Sequence, residues 1–127
     1  MSVEMSYLAM YGLFVVILIL AQVLISARQH SLAALLGNRE GLVSTGIAER
    51  AERAVQNSIS ALALVTPAVL LIAQADMSSA SSEMAMRIFL AARIIYALCF
   101  IVGITYIRTI IWIVGFLATA SLYISLL

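Results

Sequence analysis

The sequence predicts an all-α integral membrane protein, a four-helix bundle, on three observations. Of its 127 positions 65% are hydrophobic and only 10% charged. A mean hydropathy of +1.14 in a chain of 13.7 kDa is more apolar surface than a soluble core of that size could hide. Four stretches are each roughly 20 residues long and mostly apolar, the length that crosses a hydrocarbon core of about 30 Å. Together they use most of the chain, so residues 1–127 form one domain with no room for a separate soluble one.

The first stretch runs from about Met5 to Ala27. The leading MSVEMSYLAMYG carries no basic residue before its apolar run, so the helix is expected to be retained and not cleaved as a signal peptide. Residues 28 to 53 form the only long connection and hold Arg28, His30, Arg39, Arg50 and Arg53. The second helix is expected from about Ala54 to Ala75, with Pro67 inside it. Proline removes one backbone bond, which a membrane helix tolerates when neighbours satisfy the freed carbonyl. DMSSASSE, residues 76 to 83, is a serine-rich turn. The third helix follows from about Met84 to Thr105, and the fourth from Arg108 to Leu127, with a tight turn around Gly103 to Ile107.

Arginine placement sets the expected orientation. The first connection is rich in arginine and the two ends of the chain have none, so the positive-inside rule puts that connection and Arg108 in the cytoplasm. Both termini then lie outside. Tyr7, Tyr11 and Tyr123 fall towards the outer interface, and Tyr106 and Trp112 towards the inner one, as an aromatic belt requires. A short chain without an endoplasmic-reticulum retention signal fits a bacterial inner membrane.

Composition also excludes partners. A net charge of +1 with no basic patch offers nothing to nucleic acid. The single cysteine, Cys99, can form no disulfide within the chain, and nothing beside it in sequence would activate its thiol. His30 has no companion at metal-ligand spacing, so no metal site is expected. All seven basic residues are arginine, whose planar fork of donors suits carboxylates.

Three polar constellations interrupt the apolar helices. Arg53, Asn57 and Ser60 share one face at i, i+4, i+7 spacing. Arg93, Tyr96, Phe100 and Gly103 share a face of the third helix, and Arg108, Trp112 and Gly115 one of the fourth. Arg50 and Arg53 are also the residues a topogenic anchor would use, and Asn57 could serve as interhelical glue. Arg93 is different. It lies near mid-bilayer depth, where an arginine costs on the order of 2.5–3.5 kcal/mol even on the gentler scale. No Asp or Glu lies within the predicted helix cores, and Glu4 falls just outside the first. Arg93 therefore calls for a bundle interior, a wet cavity or an acidic ligand. Four short helices offer little interior, so a subunit interface is expected, with Ala91, Ala92 and Ala97 allowing close packing.

RAERAVQN, then RIIYALCFIVGITYIRTIIWIVG, resembles the MAPEG family, the membrane-associated proteins in eicosanoid and glutathione metabolism. GNRE, Arg28 and Pro67 fit the same pattern, and the resemblance covers essentially the whole chain. It implies a homotrimer of four-helix subunits with glutathione as co-substrate, held between subunits near the cytoplasmic face. Arg53 and Asn57 match the family's Arg-x-x-x-Asn, and Arg93 and Tyr96 its Arg-x-x-Tyr. Arg108 matches the arginine that activates the thiol, and Arg28 the loop arginine reaching in from the neighbouring subunit. The implied activity is a glutathione-dependent transferase or peroxidase acting on a lipophilic small molecule that arrives from the membrane lipids. Two positions depart from the pattern: Ser60 stands where the family has an acid, and Phe100 where it has a second tyrosine. They motivate an alternative, a non-catalytic trimer that binds lipid or serves as a subunit of a larger membrane complex. A small multidrug-type transporter ranks last, because it needs an intramembrane carboxylate.

Overall fold

A computed structural model describes residues 1–38 and 40–127. Arg39, counted above in the first connection, lies outside the described residues. Five helices follow in order: α1 (Val3–Gln29), α2 (Leu32–Leu36), α3 (Gly46–Gln74), α4 (Ala80–Val102) and α5 (Tyr106–Leu126). All but α2 are long and apolar enough to span a membrane. The shortest of the four, α5, reaches about 32 Å at ~1.5 Å per residue, enough for the hydrocarbon core. The protein is an integral, multi-pass membrane protein of all-α fold.

Local chemistry sets most helix ends. Ser2 caps α1 by accepting from Met5 N at 3.2 Å, and Ser31 caps α2 by accepting from Ala34 N at 3.1 Å. Ser79 and Ser82 form a reciprocal capping box at the start of α4. Thr45 stands at the N-cap of α3 with no cap bond from its side chain; its Oγ1 instead accepts from Gln29 Nε2 at 3.0 Å. Gly103, at φ 97°, ends α4 in the left-handed conformation that glycine adopts without a Cβ penalty. Ile104 N donates back to Cys99 O at 3.0 Å, closing the turn into α5.

The second membrane helix starts at Gly46, not at Ala54. Residues 46–53 are polar on average, which hides them from a hydropathy window. Yet Ala48 and Ala51 are buried along with Ala54, so a stripe of small residues three apart packs this extra length against its neighbours. The first connection is correspondingly shorter and contains α2, a single turn that the sequence did not announce.

The four long helices pack as a bundle in which α3 touches α1, α4 and α5, and α4 also touches α1. The main core, including Tyr11, Val65, Val69, Met86, Phe89 and Leu122, lies towards the end with the α3–α4 turn. The outer faces are apolar: Leu13, Leu20 and Leu24 on α1 and Ile110 and Leu117 on α5 are exposed. That is the reverse of a soluble bundle, and fits lipid as the solvent. Pro67 sits on the outside of α3, which continues through it. Thr66 Oγ1 donates to Leu62 O and Tyr123 Oη to Leu64 O, both at 2.6 Å. These hydroxyls serve the carbonyls on either side of Ala63, whose own bond the proline cannot make.

Two sequence expectations need correction. Tyr11 is not an interface residue: it is fully buried and donates to Ser58 O at 3.0 Å. Glu4 is not outside the first helix. It lies in the first turn of α1, fully buried. Ser78 Oγ donates to its two carboxylate oxygens at 2.7 and 2.9 Å, and Ser82 Oγ lies 2.8 Å from Oε1. The serine turn thus wraps a buried carboxylate at the start of α4, where the helix dipole also favours negative charge.

Candidate functional site

The site is built where α3, α4 and α5 meet. Arg93, on α4, is 3% exposed. Its Nη2 donates to Asn57 O of α3 at 3.1 Å, and its Nε is buried without a hydrogen-bond partner among the described residues. Gly115 of α5 makes room for it: a Cβ there would come within 3.2 Å of Arg93 Cδ. Gly115, which the sequence groups with Arg108 and Trp112, is therefore the seat of the buried cation.

The aromatic rings explain how cations are held here without carboxylates. Arg93 Cζ lies 4.6 Å from the centre of the Tyr96 ring. Tyr96 meets Phe100 edge-on at 5.9 Å, and Arg108 Cζ lies 4.3 Å over the Phe100 ring. The negative faces of the two rings supply part of the electrostatic stabilisation that a carboxylate would otherwise give. Tyr96 is buried, and its hydroxyl makes no hydrogen bond among the described residues, so it is available to a ligand.

Two hollows open from this ladder and share Trp112. The larger, of 530 Å³, is bordered by Asn57, Ser60, Arg93, Trp112 and Gly115 at one end and by Tyr123 and Ile124 towards the other. The smaller, of 220 Å³, is lined by Tyr96, Phe100, Arg108, Thr109 and Trp112. Arg53 is exposed and pairs with Glu49 at 2.8 Å, while Asn57 Nδ2 donates to Arg53 O at 3.0 Å. Arg53, Asn57, Arg93, Tyr96 and Arg108 thus form one continuous run of side chains and backbone across three helices.

Arg28 does not join them. It is exposed and lines a separate hollow of 340 Å³ with Ile25, Gln29, Ile47 and Ala48.

Two further polar features were missed from sequence. Arg50, read as a possible anchor, donates from Nε to Ile101 O at 2.9 Å. It satisfies a last-turn carbonyl of α4 and places a cation at the negative end of that helix. A run of arginines before a helix gives no sign of this; only the contact across to α4 does. His30, dismissed as isolated, has Nε2 3.0 Å from Ser44 Oγ, which donates to Glu52 Oε1 at 2.6 Å. These are stitches that hold the first connection to α3. No group of three metal-ligating side chains occurs among the described residues.

The model of the MAPEG family matches residues 6–127, nearly the whole chain. This chain belongs to the MAPEG family. No curated protein and no solved structure matches it. Members of the family use glutathione. In this MAPEG chain the two departures from the pattern are both at the site. Ser60 lines the larger hollow in place of an acid, and among the described residues no Asp or Glu lines that hollow. Phe100 offers a ring face, but no hydroxyl, to Arg108.

Proposed function

We propose that this protein is a glutathione-dependent transferase or peroxidase acting on lipophilic electrophiles, assembled as a homotrimer with the arginine-rich end in the cytoplasm. The observation that carries this reading is Arg93, a buried cation whose Nε is unpaired and which has no carboxylate partner among the described residues, beside the unbonded hydroxyl of Tyr96. Glutathione, when bound, supplies a thiol and two carboxylates. Arg53 and Arg93 are the groups to bind those carboxylates by charge-assisted bonds. Asn57 and Tyr96 orient the peptide through hydrogen bonds. Arg108, which lines the smaller hollow, lowers the energy of a negative sulfur and so of the nucleophilic form. Arg28 stands apart from its own subunit's site, which supports its acting on a neighbour's. The apolar outer faces leave the site open to a lipophilic partner arriving sideways from the membrane.

Calorimetric titration of glutathione into the detergent-purified wild type and Arg93→Ala tests the reading. Binding in the wild type that falls at least a hundredfold in the variant is expected, because one charge-assisted bidentate pair is worth about 3 kcal/mol. The absence of a binding heat from well-folded wild type would sink it. A specific observation then favours a second reading: Arg108 rests on Phe100, and Ser60 brings no acid, so the same trimer would serve as a lipid-binding or accessory subunit.

A further inference from the structure

We infer that Phe100 is a positioning residue: its ring face keeps the Arg108 guanidinium at the smaller hollow without neutralising it. Resting on the glutathione reading above, this role explains how the chain favours a thiolate with phenylalanine where the family has a second tyrosine.

Arg108 is the third residue of α5, in its first turn. The partial positive charge of a helix start is unfavourable to a cation, and Thr105 at the N-cap supplies no side-chain bond there. Left alone, a long and flexible arginine would swing away from that end towards water. Among the described residues its guanidinium makes no ion pair and no hydrogen bond. What it meets is Phe100, with Cζ 4.3 Å from the ring centre. The ring itself is fixed: it is buried, meets Tyr96 edge-on at 5.9 Å and packs with Ala54. Phe100 stands two residues before the end of α4, where Arg50 Nε donates to Ile101 O at 2.9 Å. Gly103 N and Ile104 N both donate to Cys99 O and close the turn that follows. Phe100 and Arg108 are thus brought together by backbone that is bonded on both sides of the turn.

The character of the holder decides what the cation can do. A carboxylate beside Arg108 would cancel most of its field in the hollow. An aromatic face attracts a cation through its quadrupole and brings no net charge. Among the described residues no Asp or Glu lines this hollow. Its titratable and charged groups are Tyr96 and Arg108, with Arg93 Cζ 4.6 Å from the centre of the Tyr96 ring and Arg50 reaching the end of α4 from α3. A thiol held there gives its proton to the buffer more readily, because the uncompensated cation stabilises the sulfur anion. The hydroxyl of a tyrosine adds nothing to this, since the ring face does the holding.

Phe100→Leu removes the ring and keeps most of the apolar volume. In that variant the thiol of bound glutathione, followed by the ultraviolet absorbance of its thiolate against pH, should titrate about one pH unit higher than in the wild type, a tenfold loss of acidity. Phe100→Tyr, which restores a ring face, should titrate with the wild type. Glutathione affinity at a pH where the thiol stays protonated should be equal in all three, which separates positioning from general damage.

Trp112 gives a second readout that needs no glutathione. It is the one tryptophan of the sequence and lines the same hollow. Iodide gathers near an uncompensated cation and neutral acrylamide does not, so the ratio of their quenching constants reports where Arg108 is. The ratio should fall in Arg108→Gln, fall equally in Phe100→Leu and hold in Phe100→Tyr. If Phe100→Leu does not fold, Phe100→Met, also unringed and close in volume, takes its place. A Phe100→Leu protein that binds glutathione and titrates with the wild type overturns the positioning role and leaves the proposed function standing. A wild type that binds no glutathione sinks the function, and the quenching ratio then decides the role of Phe100. A ratio unchanged in Phe100→Leu or in Arg108→Gln overturns that role, and one that falls in both and holds in Phe100→Tyr upholds it.

Discussion

Glu4 and Arg93 are both buried charged side chains in an apolar bundle, but their surroundings are opposite. Glu4 sits at the end with the serine turn, and Ser78 and Ser82 supply hydroxyls to its carboxylate. It faces inward and lines none of the described hollows. Arg93 sits near the middle of α4, has one carbonyl and one ring face for company, leaves its Nε unpaired among the described residues and lines the larger hollow. A closed charge holds the fold together. An open one is a place for a ligand. The contrast matters because burial alone would have ranked the two residues equally.

Removing Glu4 should break the closed end hardest. Glu4→Ala is expected to cost about 3 kcal/mol, because hydrogen bonds to a charged group are worth roughly 1.5–3 kcal/mol and Ser78 and Ser82 both lose theirs. Thermal unfolding in detergent, followed by Trp112 fluorescence, would measure it, and Glu4→Gln should recover part of the loss. Glutathione affinity should be unchanged in protein that remains folded. A loss under about 1 kcal/mol would mean that the serines rebond to water, and that this end is not closed at all.

At the open end, the matching perturbation is to crowd the cation without deleting it. Gly115→Leu places a branched side chain where even a Cβ would meet Arg93 Cδ at 3.2 Å. Overpacking of this kind costs typically 1–3 kcal/mol, so about 2 kcal/mol is expected here. Its larger signature is functional: Arg93 must leave its seat, and glutathione affinity should drop at least tenfold. Unchanged affinity in a folded Gly115→Leu protein would show that the position of Arg93 does not matter to the ligand.

The two ends also differ in how far they could be read from the chain. Arg93 stood out in the sequence because a cation in an apolar run is costly whatever its partners are, and so were its helical neighbours Tyr96 and Phe100. The four membrane helices were legible for the same kind of reason, since length and apolarity are local properties. Glu4 was not legible. Its partners lie more than seventy residues away, and a serine-rich turn reads as plain loop until it is folded back onto α1. Tyr11 was misplaced because an aromatic near a helix end has two ordinary uses, and only the contact with Ser58 O separates them. The start of α3 was missed because Ala48 and Ala51 pack by smallness, which a hydropathy average discards.

The smallest expected effect tests whether an unpaired polar atom alone marks a site. Ser58 Oγ is the other buried side-chain atom without a partner among the described residues. Like Arg93 Nε it is deep within the bundle, but Ser58 lines none of the described hollows, and only its backbone carbonyl is used, by Tyr11. If openness onto a cavity is what separates function from packing, Ser58→Ala should leave glutathione binding untouched. Stability should hold or rise, by up to about 1 kcal/mol, since an unpaired buried hydroxyl is a cost that alanine removes at almost constant volume. Thermal unfolding of the two proteins side by side gives the answer. A fall in stability approaching that of Glu4→Ala would mean that Ser58 Oγ has a partner in the assembled protein, and Arg93 would then lose its standing as the distinctive open group.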